Sequence, residues 1–150
     1  MVAEKLIDLF FSCLILVAMM YIFKIAPSIS ILYLPVFVLL LSILALGVSL
    51  WACALTVKYR DFRYALPFII QVWFYGSPII YSSSSIPDKW LALFALNPIV
   101  GIAEGFRWCI FGDLQRLGVT LPICISVTLA VFFTGLFYFY ITQKNLTDII

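Results

Sequence analysis

Histidine is absent from this 150-residue chain, and charge is scarce, with only 11% of residues Asp, Glu, Lys or Arg. Without histidine there is no imidazole to act as general base, to activate a serine or cysteine, or to ligate most transition metals. Soluble domains carry about 25% charged residues, so this composition cannot clothe a water-exposed surface. No Gly-x-x-x-x-Gly-Lys occurs and no glycine precedes a lysine, which excludes a P-loop nucleotide site. The four cysteines, Cys13, Cys53, Cys109 and Cys124, form no Cys-x-x-Cys pair and sit in apolar runs. They read as small packing residues rather than metal ligands or disulfide partners. Nine Lys+Arg against seven Asp+Glu leave +2, too mild a surplus for a polyanionic partner such as nucleic acid.

Apolar surface is what the chain has in excess: 65% of residues are hydrophobic and 17% aromatic, with a mean hydropathy of +1.19. A folded domain of this length still exposes about a third of its unfolded surface. Water is therefore the wrong solvent, and the composition predicts an all-α integral membrane protein. A soluble enzyme, a nucleic-acid binder and a disordered tail are all excluded.

The pattern predicts four spans, at about residues 9–26, 31–57, 64–81 and 117–142. The start, with Glu4, Lys5 and Asp8 and no small-residue cleavage site, does not read as a secretory signal, so the first run is kept as a span. Lys24 lies near its end, and Pro27-Ser28-Ile29-Ser30 is a short link to the next. The second span has Pro35 in its first turn or two. Ser42, Ala45, Ser49, Ala52 and Thr56 recur on it at helical spacing, and this small face is expected to pack against another helix. Lys58-Tyr59-Arg60-Asp61-Phe62-Arg63-Tyr64 is the densest charge in the protein and reads as a water-facing loop. The third span carries Pro67 near its start, and Gly76-Ser77-Pro78 should kink or stop it near 75–77.

Ser82 to Lys89 is a serine-rich loop. The stretch 90–111 is too short on either side of Asn97-Pro98 to cross, and reads as a broken re-entrant helix pair between the third and fourth spans. Gly112-Asp113-Leu114-Gln115-Arg116 links it to the last span, whose Phe132–Tyr140 aromatics precede a polar tail. Four spans place both termini with the Lys58–Arg63 loop. That side holds Lys5, Lys58, Arg60, Arg63 and Lys144, against Lys24, Lys89, Arg107 and Arg116 opposite. The compact basic cluster favours a cytoplasmic loop and cytoplasmic termini, with Ser84 outside.

Motifs for chemistry are sparse. Gly76-Ser77 lacks a histidine base for an intramembrane serine protease, and Gly112-Asp113 lacks a partner aspartate within a span. Gly101-x-x-x-Gly105 is a weak dimerisation motif because it lies in the re-entrant piece with Glu104, and Asn145-Leu146-Thr147 is a sequon without meaning on a cytoplasmic tail. Glu104 and Arg107 are three apart and can pair, either as an interfacial ion pair or beside a polar substrate. Trp73, Phe74, Tyr75 and Tyr81 fit an interfacial belt or, by stacking on sugar rings, a glycan path.

Taken together, Lys58-Tyr59-Arg60-Asp61, then Gln71…Tyr75-Gly76-Ser77-Pro78-Ile79-Ile80-Tyr81, then Leu96-Asn97-Pro98 and Arg107 resemble one family in order and spacing. It is the ATP-binding-cassette type-2 permeases of the branch exporting O-antigen, capsule and teichoic-acid polysaccharides, and the likeness covers the C-terminal part of that transmembrane domain. The resemblance implies a permease subunit in the cytoplasmic (inner) membrane of a bacterium, moving lipid-linked polysaccharide. It implies a homodimer with a second permease copy and a separate ATPase subunit that carries ATP-Mg, this chain binding no cofactor. The family has six spans, a gate helix and a coupling helix; this chain begins where the third span would begin.

From their place on the water-facing loop between two spans, Lys58, Tyr59, Arg60, Asp61 and Arg63 are expected to form a loop that couples the helices to that ATPase. Trp73, Tyr75, Tyr81, Asn97, Pro98, Glu104 and Arg107 are expected to line the substrate path or exit gate. The alternatives are a non-transporting membrane scaffold or inactive permease fragment and, less well supported, part of a secondary transporter, which should show an ionisable residue within a span.

Overall fold

The computed structural model describes residues 2–24, 29–77, 79, 94–112 and 117–147. Five α-helices cover most of them: α1 (Val2–Ile22), α2 (Leu34–Lys58), α3 (Phe62–Gly76), α4 (Pro98–Phe111) and α5 (Leu117–Thr147). No strand occurs among the described residues. A 3-10 turn, Ile29–Tyr33, leads into α2.

Local chemistry sets the helix ends. Lys24, with φ at 53°, stands in the left-handed region just beyond α1, so that helix ends short of the expected residue 26. Pro35 occupies the first turn of α2, where its missing N–H costs nothing. α3 runs 15 residues and stops at Gly76, ahead of Pro78 and short of the expected residue 81. α4 has Asn97 as N-cap, Pro98 as its first residue, and Gly112 at φ 76° closing its end. α5 carries its helical backbone past the expected end, through the polar tail to Thr147.

Among the described residues, two helical stretches are long and apolar enough to cross a membrane, Ile29–Lys58 and Thr120–Lys144. The apolar part of α1, Ile7–Ile22, is shorter, and α3 would reach only about 22 Å at 1.5 Å per residue. Hydroxyls within these helices bond their own backbone one turn back: Ser42 to Val38, Thr56 to Ala52, Ser126 to Pro122 and Thr142 to Tyr138. Such bonds let polar side chains lie in hydrocarbon without an exposed donor.

α2 and α5 pair in parallel. Moving along both, Phe37 shares a cluster with Leu121, Gly47 abuts the Phe132 backbone, and Trp51 stacks on Tyr138 at 4.7 Å. The indole N–H of Trp51 also donates to the Thr134 hydroxyl at 3.3 Å. α4 fills the groove at the N-terminal halves of this pair and runs the opposite way. Ile102 packs with Leu44 and Cys124, Gly105 faces the Phe37 ring, and Trp108 meets the rings of Phe37 and Tyr33. The Cys124 thiol donates to the Pro98 carbonyl at 3.0 Å. All four cysteines are free, Cys109 and Cys124 being buried.

Two features of the sequence find their place here. The face of α2 that packs on α4 and α5 carries Phe37, Leu44, Gly47 and Trp51. The Ser42–Thr56 stripe lies on the opposite side, with Ala45 and Ser49 exposed. Ser42, Ala52 and Thr56 are half-buried there. The Gly101-x-x-x-Gly105 pair, in turn, is used within the chain. A methyl on Gly101 would land on the Cys124 side chain, and one on Gly105 on the Phe37 ring. Gly105→Ala is therefore expected to lower stability by about 1–3 kcal/mol, read as an earlier unfolding midpoint in detergent. Unchanged stability would show that Phe37 can swing aside.

Because α2 and α5 are parallel, Lys58 and Lys144 lie toward one end of the bundle. The 3-10 turn, Phe111 and the start of α5 lie toward the other. The first turn of α4 sits beside Leu44 and Val48, about 15–20 Å along α2 from Leu34 at 1.5 Å per residue. α4 thus begins near half the height of α2 and rises to the end opposite Lys58.

Candidate functional site

The Lys58–Arg63 segment is a tight link between α2 and α3, with every residue but Phe62 exposed. The Tyr59 N–H bonds the Leu55 carbonyl at 2.7 Å, and the Phe62 N–H bonds the Tyr59 carbonyl at 3.0 Å. The Lys58 ammonium lies 5.4 Å from the centre of the Tyr59 ring. Asp61 occupies the N-cap of α3 but makes no side-chain cap bond. Its carboxylate stands at the positive end of the helix dipole beside Arg60 and Arg63.

The other end of α3 meets the start of α4. The Trp73 indole N–H donates to Asn97 Oδ1 at 3.2 Å. Asn97 Nδ2 donates to the Ser77 hydroxyl at 2.8 Å, which donates to the Trp73 carbonyl at 2.8 Å. These bonds close a ring of three residues. The same Asn97 Oδ1 accepts the Ile99 N–H at 3.2 Å, so it caps α4, while Ser77 satisfies an orphan carbonyl of α3. Ser77 is fully buried.

On α4, Arg107 Nη1 lies 2.7 Å from Glu104 Oε1, with 33% and 13% of the two side chains exposed. The pairing anticipated from their spacing is present. Beyond it, Tyr33 and Trp108 (5.3 Å) and Phe37 and Phe106 (6.3 Å) form an aromatic cluster.

The candidate residues divide accordingly. Trp73 and Asn97 come together, Pro98 is buried behind them in the first turn of α4, and Tyr75 is 62% exposed on α3. Glu104 and Arg107 pair with one another. Tyr81 lies outside the described residues, as do the Ser82–Lys89 loop, most of the first re-entrant segment, and 113–116. Ser77 and the Tyr33–Trp108 cluster were missed as site residues. Nothing in the sequence couples positions 20 or more apart, though the serine before Pro78 and the Asn-Pro step marked two helix ends. Among the described residues no cluster of three or more His, Cys, Asp or Glu could hold a metal.

Among the described residues the arrangement brings no catalytic set together. It offers a basic, wet link at one end, a hydrogen-bonded junction at half height, and an aromatic and ionic patch toward the other end. Residues 1–111 match the family model described as ABC-2 type transporter. The chain is 28% identical over 94 residues to an O-antigen export system permease protein RfbA of Klebsiella pneumoniae, covering 62% of this chain and 36% of that protein. A second RfbA from the same organism is 28% identical over 123 residues, 81% of this chain and 44% of that one. An RfbA of Myxococcus xanthus is 26% identical over 83 residues, 54% and 32% respectively. The chain thus spans less than half the length of the curated relatives it matches. No solved structure matches it.

Proposed function

Since the chain belongs to the ABC-2 type transporter family, we propose that it forms part of the permease of an exporter for lipid-linked polysaccharide. The carrying observation is the family match across residues 1–111, sharpened by relatives whose names specify O-antigen export. In this reading α1, α2, α3 and α5 cross the bacterial cytoplasmic membrane, α3 with the help of residues beyond Gly76. α4 is the returning arm of a re-entrant pair at the outer side. Both termini and the Lys58–Arg63 link face the cytoplasm, which the parallel pairing of α2 and α5 supports by drawing Lys58 and Lys144 to one end.

The permease changes no bond. Lys58, Tyr59, Arg60, Asp61 and Arg63 contact a separate ATPase subunit, which holds the ATP-Mg, and a second permease copy completes the path. Tyr75, Glu104 and Arg107 border the route of the polymer, with Tyr81, which lies outside the described residues, assigned there by its aromatic character. Trp73 and Asn97, each committed to the other, serve the route by shaping it rather than by stacking on sugar.

Two measurements test this. In a background lacking Cys13, Cys53, Cys109 and Cys124, a cysteine at Arg60 is expected to stay unlabelled by an impermeant maleimide in intact cells. One at Phe111, 65% exposed at the opposite end, is expected to react. The reverse pattern would overturn the topology. Affinity purification from membranes is expected to bring down an ABC ATPase; recovery of the chain without one would favour a scaffold.

A further inference from the structure

We propose that the Trp73–Ser77–Asn97 ring is a transmission joint that locks the far end of α3 to the near end of α4, so that movement of the Lys58–Arg63 link reaches α4 as a lever stroke. The inference deepens the permease reading and rests on it for the source of the movement, while the joint itself rests on geometry.

Three observations carry it. First, α3 buries none of its own residues among those described, so within this chain its ends are its firmest attachments. The covalent link at Tyr59–Asp61 holds one end and the ring holds the other. Second, α4 is the reverse case, with Pro98, Val100, Gly101, Ile102, Gly105 and Cys109 all buried. A force arriving at Asn97 therefore acts on a packed wedge between α2 and α5 rather than on a loose turn. Third, the ring is closed and doubly used. One amide, Asn97, caps α4 and holds both Trp73 and Ser77, while the Ser77 hydroxyl also terminates α3.

Ser77 is fully buried, so no water stands ready there to replace a broken bond, and an open ring leaves several unsatisfied groups at once. Mutually polarised bonds of this kind break together rather than singly. The ring is stiff for that reason, and Trp73 is a positioning residue, its indole N–H spent on Asn97.

Spin labels at Ile70 on α3 and Phe111 on α4, both exposed, would report the joint by pulsed dipolar spectroscopy in lipid nanodiscs. The parent is expected to give one narrow distance distribution. Trp73→Phe, which keeps an aromatic side chain but loses the indole N–H, and Ser77→Ala, which loses the hydroxyl and leaves α3 otherwise intact, are each expected to broaden it roughly twofold by admitting an unlatched population. Asn97→Asp, which keeps the acceptor, is expected to fall between these variants and the parent.

In the assembled exporter, Trp73→Phe should uncouple the machine, with ATP hydrolysis within about twofold of the parent while polymer export falls roughly tenfold. Distributions as narrow as the parent's in both variants would overturn the joint. So would export and hydrolysis falling together in proportion to inserted protein. If no ATPase associates with the parent, the permease reading fails and the distance measurement alone decides whether the joint exists.

Discussion

Gly135→Ala is expected to loosen the pairing of α2 and α5 and to lower the stability of the bundle by about 1–3 kcal/mol. Two effects of opposite sign compete. Alanine is the better helix former by roughly 0.8–1.0 kcal/mol. A Cβ at 135, however, would stand 2.7 Å from the Gly47 carbonyl oxygen and 2.9 Å from the Trp51 ring. The oxygen is backbone and cannot turn aside, so the helices must part, and contact is lost along their length. Gly47→Ala meets the same obstacle from the other side, its Cβ falling 2.9 Å from Phe132 Cα. The two changes push one interface apart, so the second should cost less than the first, with a coupling of roughly 0.5–3 kcal/mol in a double-mutant cycle. Gly118→Ala is the internal control: nothing lies within 4 Å of its Cβ, and helix propensity alone should leave it neutral or slightly stabilising. Unfolding followed by the fluorescence of the tryptophans, Trp51 among them, reads all three. Equal stabilities for Gly118→Ala and Gly135→Ala would show that the helices do not approach as described.

Asp61→Asn is expected to leave the protein inserted at its normal level while export falls roughly tenfold or more, the scale of a lost allosteric coupling. Asp61 is exposed and makes no cap bond. An isosteric change there should therefore cost stability no more than about 0.5 kcal/mol. The effect on transport arises because the carboxylate is the acid within a segment whose other charges, Lys58, Arg60 and Arg63, are all basic. Removing it makes the surface offered to an ATPase uniformly positive. Polymer at the cell surface, normalised to permease in the membrane, is the measurement. Normal export with normal stimulated hydrolysis would remove Asp61 from the coupling surface.

Much of the architecture was legible because hydrophobic length is a coarse and robust signal. The apolar run from Ile31 to Val57 and that from Leu117 to Thr142 correspond to α2 and α5 within a few residues. The break at Asn97-Pro98 and the stop before Pro78 follow from the missing N–H and the steric demands of proline. Which face of α2 packs was not legible. Spacing identified a stripe of small residues, whereas the interface mixes bulky Phe37 and Trp51 with Gly47. Spacing alone does not tell which face of a helix meets which neighbour. The site was legible in its members but not its assembly. Trp73 and Asn97 were each singled out for other reasons, and their bond depends on where α3 ends against α4, which no local pattern encodes. Glu104 and Arg107 were the exception, because a separation of three on a helix already places them side by side.

The pairing of α2 with α5 also dictates an order of biogenesis. α2 leaves the ribosome long before Gly135 exists, and at 5–20 residues per second the delay is on the order of 5 to 20 s. Throughout it the Gly47 face of α2 has no α5 to meet and must lie against lipid or the insertion machinery. α4 emerges in the interval and can seat Gly105 on Phe37 before its second wall, Cys124, has left the ribosome. The wedge is therefore placed first and clamped afterwards by α5. A defect in α5 would strand a chain whose earlier helices have already been committed to the membrane.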